Sequence, residues 1–171
     1  KQGIMKEIHD GLEIAFAEPA IESSVIEELG DVFQPFHYKE VKENVNTENI
    51  RLIDAISEGL KQSMQRHDNL VLMGQDIAEY GGVFKITDGF LEEFGEERVR
   101  NTPICESSIV SAAMGLSIND HKVMMEMQFS DFATSGFNPI VNLLAKSNYR
   151  WNQKADVVIR MPCGAGVGAG P

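Results

Sequence analysis

The apolar pattern predicts an α/β protein: a three-layer sandwich around a mostly parallel sheet, preceded by a helical tail. Three observations predict it. From Ile50 onward, solid apolar runs of strand length alternate with helical stripes, as in a parallel sheet covered on both faces. Before residue 50 the periodicity is helical only and gives way to a charged, polar stretch. The composition, 43% hydrophobic and 24% charged over 171 residues, suits one domain with a real core plus an extra segment.

In the tail, Ile4, Ile8, Leu12 and Phe16 recur at helical spacing opposite Lys6, Glu7, Asp10 and Glu13, and Pro19 closes that helix. The polar face is acidic, which suits a helix packed on a neighbour rather than one lying on a membrane. A second helical stretch, Ile21 to Leu29, ends at Gly30, and residues 39–48 read as linker. The expected division is therefore a tail and linker, 1–49, and a domain, 50–171, truncated at its C-terminal end.

In the domain, Ile53, Ile56, Leu60 and Met64 form one helix stripe that stops at His67-Asp68-Asn69. Leu70 to Met73 is the first strand, followed by a loop with Gly81-Gly82. A short helix near Gly89 to Phe94 has Gly95 suited to a left-handed C-cap. Arg98 to Asn101 is a short strand. Ile109 to Ile118, apolar nearly all round, is a buried helix. Val123 to Met127 and Asp156 to Met161 are further strands, separated by a helix within Ala133 to Arg150. Pro139 is either the first residue of that helix, with Asn138 as N-cap, or a kink in one that began earlier.

Several function classes are disfavoured. The formal net charge is −11 and the basic residues do not cluster, so a nucleic-acid partner is not expected. No apolar run has the length of a membrane span. The two cysteines, Cys105 and Cys163, form no metal-spaced pair and read as reduced thiols of a cytoplasmic protein. The four histidines show no ligand spacing, so no metal site is expected in the chain. The absent initiator Met and the glycine-rich end suggest a piece of a longer protein.

Ligands of parallel α/β folds gather at the carboxyl ends of strands and at helix N-termini. Three places qualify: Gly74-Gln75-Asp76, Thr102 to Glu106, and Gln128 to Phe132. Glu106 stands just before an apolar helix, where a carboxylate is either a dipole or capping-box partner or a functional group. The run Gly164 to Gly170 fits a relaxed dinucleotide fingerprint, a reading that needs a helix beginning there. Without one it is a turn-forming loop.

Read together, Leu72-Met-Gly-Gln-Asp-Ile-Ala-Glu-Tyr-Gly-Gly-Val-Phe-Lys85, Asn101-Thr-Pro-Ile-Cys-Glu106 and Glu126-Met-Gln-Phe-Ser-Asp-Phe132 resemble one family. It is the β-subunit of the thiamine-diphosphate-dependent, decarboxylating component of 2-oxoacid dehydrogenase complexes, the branched-chain type (2-oxoisovalerate) more than the pyruvate type. The resemblance covers roughly residues 50–171 and implies the pyrimidine-binding module of that fold. Residues 1–38 resemble the C-terminal tail of the α-subunit, which implies a fusion of the two.

The resemblance implies an oxidoreductase that decarboxylates a 2-oxoacid and passes the acyl group to a lipoyl disulfide. Glu106 matches the carboxylate that shares a proton with N1′ of the aminopyrimidine, with apolar neighbours such as Ile104 keeping it poised for exchange. Phe132 matches the aromatic that stacks on the pyrimidine, and Ile104 and Gln128 match other residues of that pocket. Gln75 stands where the family often has an acid. The implied partners are a diphosphate-binding α-like domain, a second copy of the protein, a lipoyl acyltransferase core and the 2-oxoacid. The Mg²⁺ ligands are expected outside this chain, so the piece alone is expected to be inactive. A transketolase-like thiamine enzyme, a non-catalytic interaction module and a dinucleotide-binding domain are the alternatives.

Overall fold

A computed structural model describes residues 1–40, 42 and 48–164. The chain divides into two compact units, residues 1–32 and 33–171. The first holds α1 (Gln2–Ala17) and α2 (Val25–Val32). Glu18 takes φ −64°, ψ 143° and ends α1, because the residue before a proline is pushed out of the helical region. Ser24 and Glu27 open α2 with a capping box: Glu27 N–H donates to Ser24 Oγ at 3.2 Å, and Ser24 N–H donates to Glu27 Oε2 at 3.0 Å. Gly30 lies inside α2 rather than at its end. Here the cap sets the helix start, and one glycine costs too little to stop it.

The second unit contains α3 (Leu52–Arg66), β1 (Leu70–Gly74), α4 (Phe90–Phe94), β2 (Val99–Asn101), α5 (Glu106–Ile118), β3 (Lys122–Glu126), α6 (Phe137–Asn142), α7 (Ser147–Trp151) and β4 (Val157–Arg160). The four strands form one all-parallel sheet in the order β2-β1-β3-β4. Its residues alternate between two cores. Leu70, Leu72, Val99 and Met124 join Met64 of α3 and Phe90 of α4. Met73, Val123 and Met125 join Ile109, Val110 and Ala113 of α5, with Ile140 and Ile159 packed against them. With both faces covered, every residue of β1 is buried, which is why its sequence reads as a solid apolar run rather than an alternation. The α/β three-layer expectation matches this architecture.

Arg98 closes α3 and joins it to the sheet. Its guanidinium donates to the carbonyls of Met64 and His67, each at 2.7 Å, and of Leu70 at 3.1 Å. Gly95 ends α4 at φ 82°, ψ 163°. Its φ is positive, as expected, but its ψ lies outside the left-handed helical region.

The helix expected within 133–150 is broken. A 3-10 turn (Ser130–Thr134), α6, a second 3-10 turn (Leu144–Lys146) and α7 take its place. Gly136, not Asn138, is the N-cap of α6, and Pro139 is its third residue, buried. In the first turn a missing N–H costs no hydrogen bond, so the proline neither begins nor kinks the helix.

Candidate active site

The site region is the carboxyl edge of the sheet. After β2, Thr102 N–H donates to Gly74 O at 2.8 Å, carrying the chain alongside β1 before it turns into α5. Cys105 is the N-cap and makes no side-chain capping bond. Glu106 is the first helical residue, half-buried. Its carboxylate has no hydrogen-bond or ion-pair partner among the described residues, so the capping-box reading does not hold. What remains locally is the favourable field of the helix N-terminus, about 0.3–1 kcal/mol.

The segment after β3 is fastened beside this helix start. Ser107 Oγ donates to Ser135 O at 2.9 Å. Gly136 is needed for the approach: a Cβ there would stand 2.8 Å from Met127 Cε and 3.3 Å from Val110 Cγ2. Phe132 lies in the 3-10 turn just before this contact. Its ring meets Phe129 edge-on, centroids 6.2 Å apart, and stays 38% exposed, which leaves surface for stacking. Glu106 and Phe132 therefore sit on adjacent, directly bonded segments. Gln128 is half-buried and donates from Nε2 to Asp76 Oδ2 at 3.4 Å, reaching toward the loop after β1. Ile104 is 82% exposed, so it builds no apolar enclosure for Glu106 from this chain's own packing.

The loop after β1 carries unusual backbone. Asp76, Phe84 and Lys85 have φ of 55°, 62° and 59°, beside Gly81 and Gly82 at 83° and 71°. Side chains rarely adopt such angles, and they tend to cluster at functional sites. The loop is bonded to itself: Gly82 N–H donates to Asp76 O at 2.8 Å, and the buried Thr87 hydroxyl to Ile77 O at 2.6 Å. Asn101, at the end of β2, accepts from Ala78 N–H at 2.8 Å. Gln75, noted above as standing where the resembled family often has an acid, is 6% exposed.

One polar pair escaped the sequence reading. Glu126, 1% exposed at the end of β3, is bonded to Arg160, its register partner on β4, and accepts from Val83 N–H at 3.4 Å. Burial pushes the Glu126 carboxyl above its ordinary value, while Arg160 and the Val83 N–H pull the other way. The signal was present: a Glu and an Arg each end an otherwise apolar strand run, and charges there need partners.

Other features bear on what the site holds. Thr102 Oγ1 is buried with no partner among the described residues. Among the described residues, no cluster of three or more His, Cys, Asp or Glu is placed to hold a metal ion, and no helix is long and apolar enough to cross a membrane. A cavity of about 450 Å³ lies at the opposite, amino edge, lined by Asn69, Ser117, Lys122 and Asp156 among others. These groups already satisfy one another, through Lys122–Asp156 and Ser117–Asp156 bonds. Residues 165–170 of the glycine-rich run, on which the dinucleotide reading falls, lie outside the described residues.

Comparison with known proteins agrees with the fold. The family model "Transketolase, pyrimidine binding domain" matches residues 48–171. The 2-oxoisovalerate dehydrogenase subunit beta of Bacillus subtilis (strain 168) is 41% identical over 117 residues, 67% of this chain and 36% of that protein. The pyruvate dehydrogenase E1 component subunit beta is 36% identical over 118 residues in Staphylococcus epidermidis and 37% in Staphylococcus aureus, covering 68% of this chain and 36% of each relative. The chain thus spans about a third of the length of these relatives.

Proposed function

We infer the function from the premise that the chain belongs to the family of transketolase pyrimidine-binding domains, the family whose model matches residues 48–171. The chain supplies the pyrimidine pocket of a thiamine-diphosphate-dependent 2-oxoacid dehydrogenase, with Glu106 as the activating carboxylate. The observation that carries this reading is the half-buried Glu106 at the start of α5, without a partner among the described residues and joined through Ser107 to the segment that presents Phe132.

The side chains fit an aminopyrimidine. A carboxylate without a partner suits a protonated ring nitrogen, an aromatic face suits a flat heterocycle, and an amide suits a ring substituent. They do not fit a diphosphate. At this edge Arg160 is engaged by Glu126, and Lys85 donates to Tyr80 O and lies 3.6 Å from the centre of its ring. The diphosphate and its Mg²⁺ therefore belong to another part of the assembly.

When bound, thiamine diphosphate supplies the nucleophilic carbon and the electron sink for decarboxylation. Glu106 holds a proton at the ring nitrogen and exchanges it during turnover. The orienting field is that of the α5 N-terminus. Phe132 stacks on the ring, and Ile104, turned outward, completes the pocket against a partner surface.

The branched-chain substrate is favoured over pyruvate by the higher identity to the 2-oxoisovalerate enzyme's subunit. We assign as partners a diphosphate-binding α-like domain, a second copy and a lipoyl acyltransferase core, in the cytoplasm. Residues 1–38 are read as the end of an α-like segment. The test is decarboxylation by the full-length protein, with and without thiamine diphosphate and Mg²⁺, on 2-oxoisovalerate and on pyruvate. Cofactor-dependent turnover favouring the branched substrate is expected. Turnover that ignores the cofactor, or none with either acid, would overturn the reading.

A further inference from the structure

We propose that Glu126 is the latch of the loop after β1: held by Arg160, its carboxylate fixes the backbone N–H of Val83 and so keeps Phe84 closed over a cavity at the carboxyl edge of the sheet. Without that acceptor the loop tip opens while the sheet stays folded. The proposal stands on the packing of this chain and does not depend on which ring or acid the protein binds.

The two carboxylate oxygens face different elements. Oε2 is bonded to Arg160 Nη1, and Oε1 accepts from Val83 N–H at 3.4 Å. Two glycines leave room for the side chain and for the loop beside it. A Cβ on Gly74, the register partner of Glu126 on β1, would stand 2.8 Å from Glu126 O and 3.1 Å from its Cβ. A Cβ on Gly82 would stand 3.3 Å from Oε1 and 3.1 Å from Thr87 Oγ1. The Gly82–Val83 peptide can therefore lie close upon the carboxylate.

Both ends of the loop are anchored without Glu126. Gly82 N–H donates to Asp76 O at 2.8 Å, Thr87 N–H to Gly81 O at 3.0 Å, and Ser57 Oγ to Ile86 O at 2.6 Å. Between these anchors, Phe84 and Lys85 keep φ of 62° and 59°, which side chains adopt only where the surroundings impose it. Among the described residues, the bond from Val83 N–H to Glu126 is the one that ties this tip to the sheet. Phe84, 48% exposed, forms one wall of a cavity of about 190 Å³, and residues 129–131 and 162–164 form the others. Those two walls are fastened to each other, Ser130 N–H donating to Pro162 O at 3.0 Å. Phe84 is thus the movable wall, with a strained backbone favouring release and one acceptor holding it.

The test is hydrogen–deuterium exchange of the full-length protein, read at Val83 and in peptides covering β1 and β3. Two double variants are compared with wild type: Arg160→Met with Glu126→Gln, and Arg160→Met with Glu126→Leu. Both remove the two buried charges together at similar side-chain volume, but Gln offers Val83 an acceptor and Leu offers none. Val83 should exchange at least about tenfold more slowly in wild type and in the Gln variant than in the Leu variant. The peptides of β1 and β3 should be equally protected in all three. Equal exchange at Val83 in the two variants, or a loss of protection in the Leu variant that spreads to β1 and β3, would overturn the proposal. So would an unprotected Val83 in the wild type, a measurement that needs no variant to fold.

Discussion

Replacing Arg160 with Met should destabilise the second unit in a strongly pH-dependent way. Glu126 is 1% exposed, and without Arg160 its remaining contact of this kind is the long 3.4 Å bond from Val83 N–H. Removing one member of a buried ion pair costs about 3–5 kcal/mol when the other stays charged. Glu126 has an escape, which is to take up a proton. At pH 7 that costs about 3.4 kcal/mol, since pH 7 lies about 2.5 units above the ordinary value of 4.5 and each unit is worth about 1.4 kcal/mol. At pH 5 the same escape costs about 0.7 kcal/mol.

The direction follows from the raised pKa. A carboxyl pushed up by folding favours the folded state below about pH 4.5 and loses that advantage as pH rises through its folded value. Urea unfolding of wild type and Arg160→Met at pH 5 and pH 7 measures the difference. The deficit should approach 3 kcal/mol at pH 7, shrink by at least about 2 kcal/mol at pH 5, and largely vanish when Glu126→Gln is added. A deficit equal at both pH values would show that Glu126 is not the buried charge described above.

Gly81→Ala should cost about 2–3 kcal/mol in urea unfolding, because φ is +83° and the new Cβ would stand 2.8 Å from Asp88 Cα. A cost below about 0.5 kcal/mol would mean that the loop after β1 has another conformation. Phe132→Ala should leave stability within about 1.5 kcal/mol, since the ring is already 38% exposed. The same change should weaken thiamine diphosphate binding about tenfold, measured by calorimetry. A large loss of stability with unchanged binding would make Phe132 a core residue.

The parts of the fold legible in the sequence were those governed by burial. Leu70 to Met73 and Val123 to Met127 announced strands covered on both faces, and the structure shifts their ends by a single residue. Parts governed by local hydrogen bonding were harder to read. The capping box at Ser24 and Glu27 fixes a helix whose end had been placed at Gly30. The break at Leu143, φ −112° and ψ −69°, has no compositional signature, so the apolar stretch within 133–150 read as one helix.

At the site, the carboxyl-edge rule picked out the segments of Glu106, Gln128 and Phe132 from the expected strand ends alone. Their roles came from resemblance to a family. The buried Glu126–Arg160 pair joins residues 34 positions apart in the chain. It becomes visible only once β3 and β4 lie side by side.

The most direct measurement is turnover of 2-oxoacid by the full-length protein carrying Glu106→Gln, with thiamine diphosphate affinity measured in the same sample. The amide preserves shape, and Glu106 has no partner among the described residues to lose. Decarboxylation should fall by about 10²-fold or more, with cofactor affinity within about tenfold of wild type and folding unchanged. Undiminished turnover would contradict the assignment of Glu106 as the activating carboxylate.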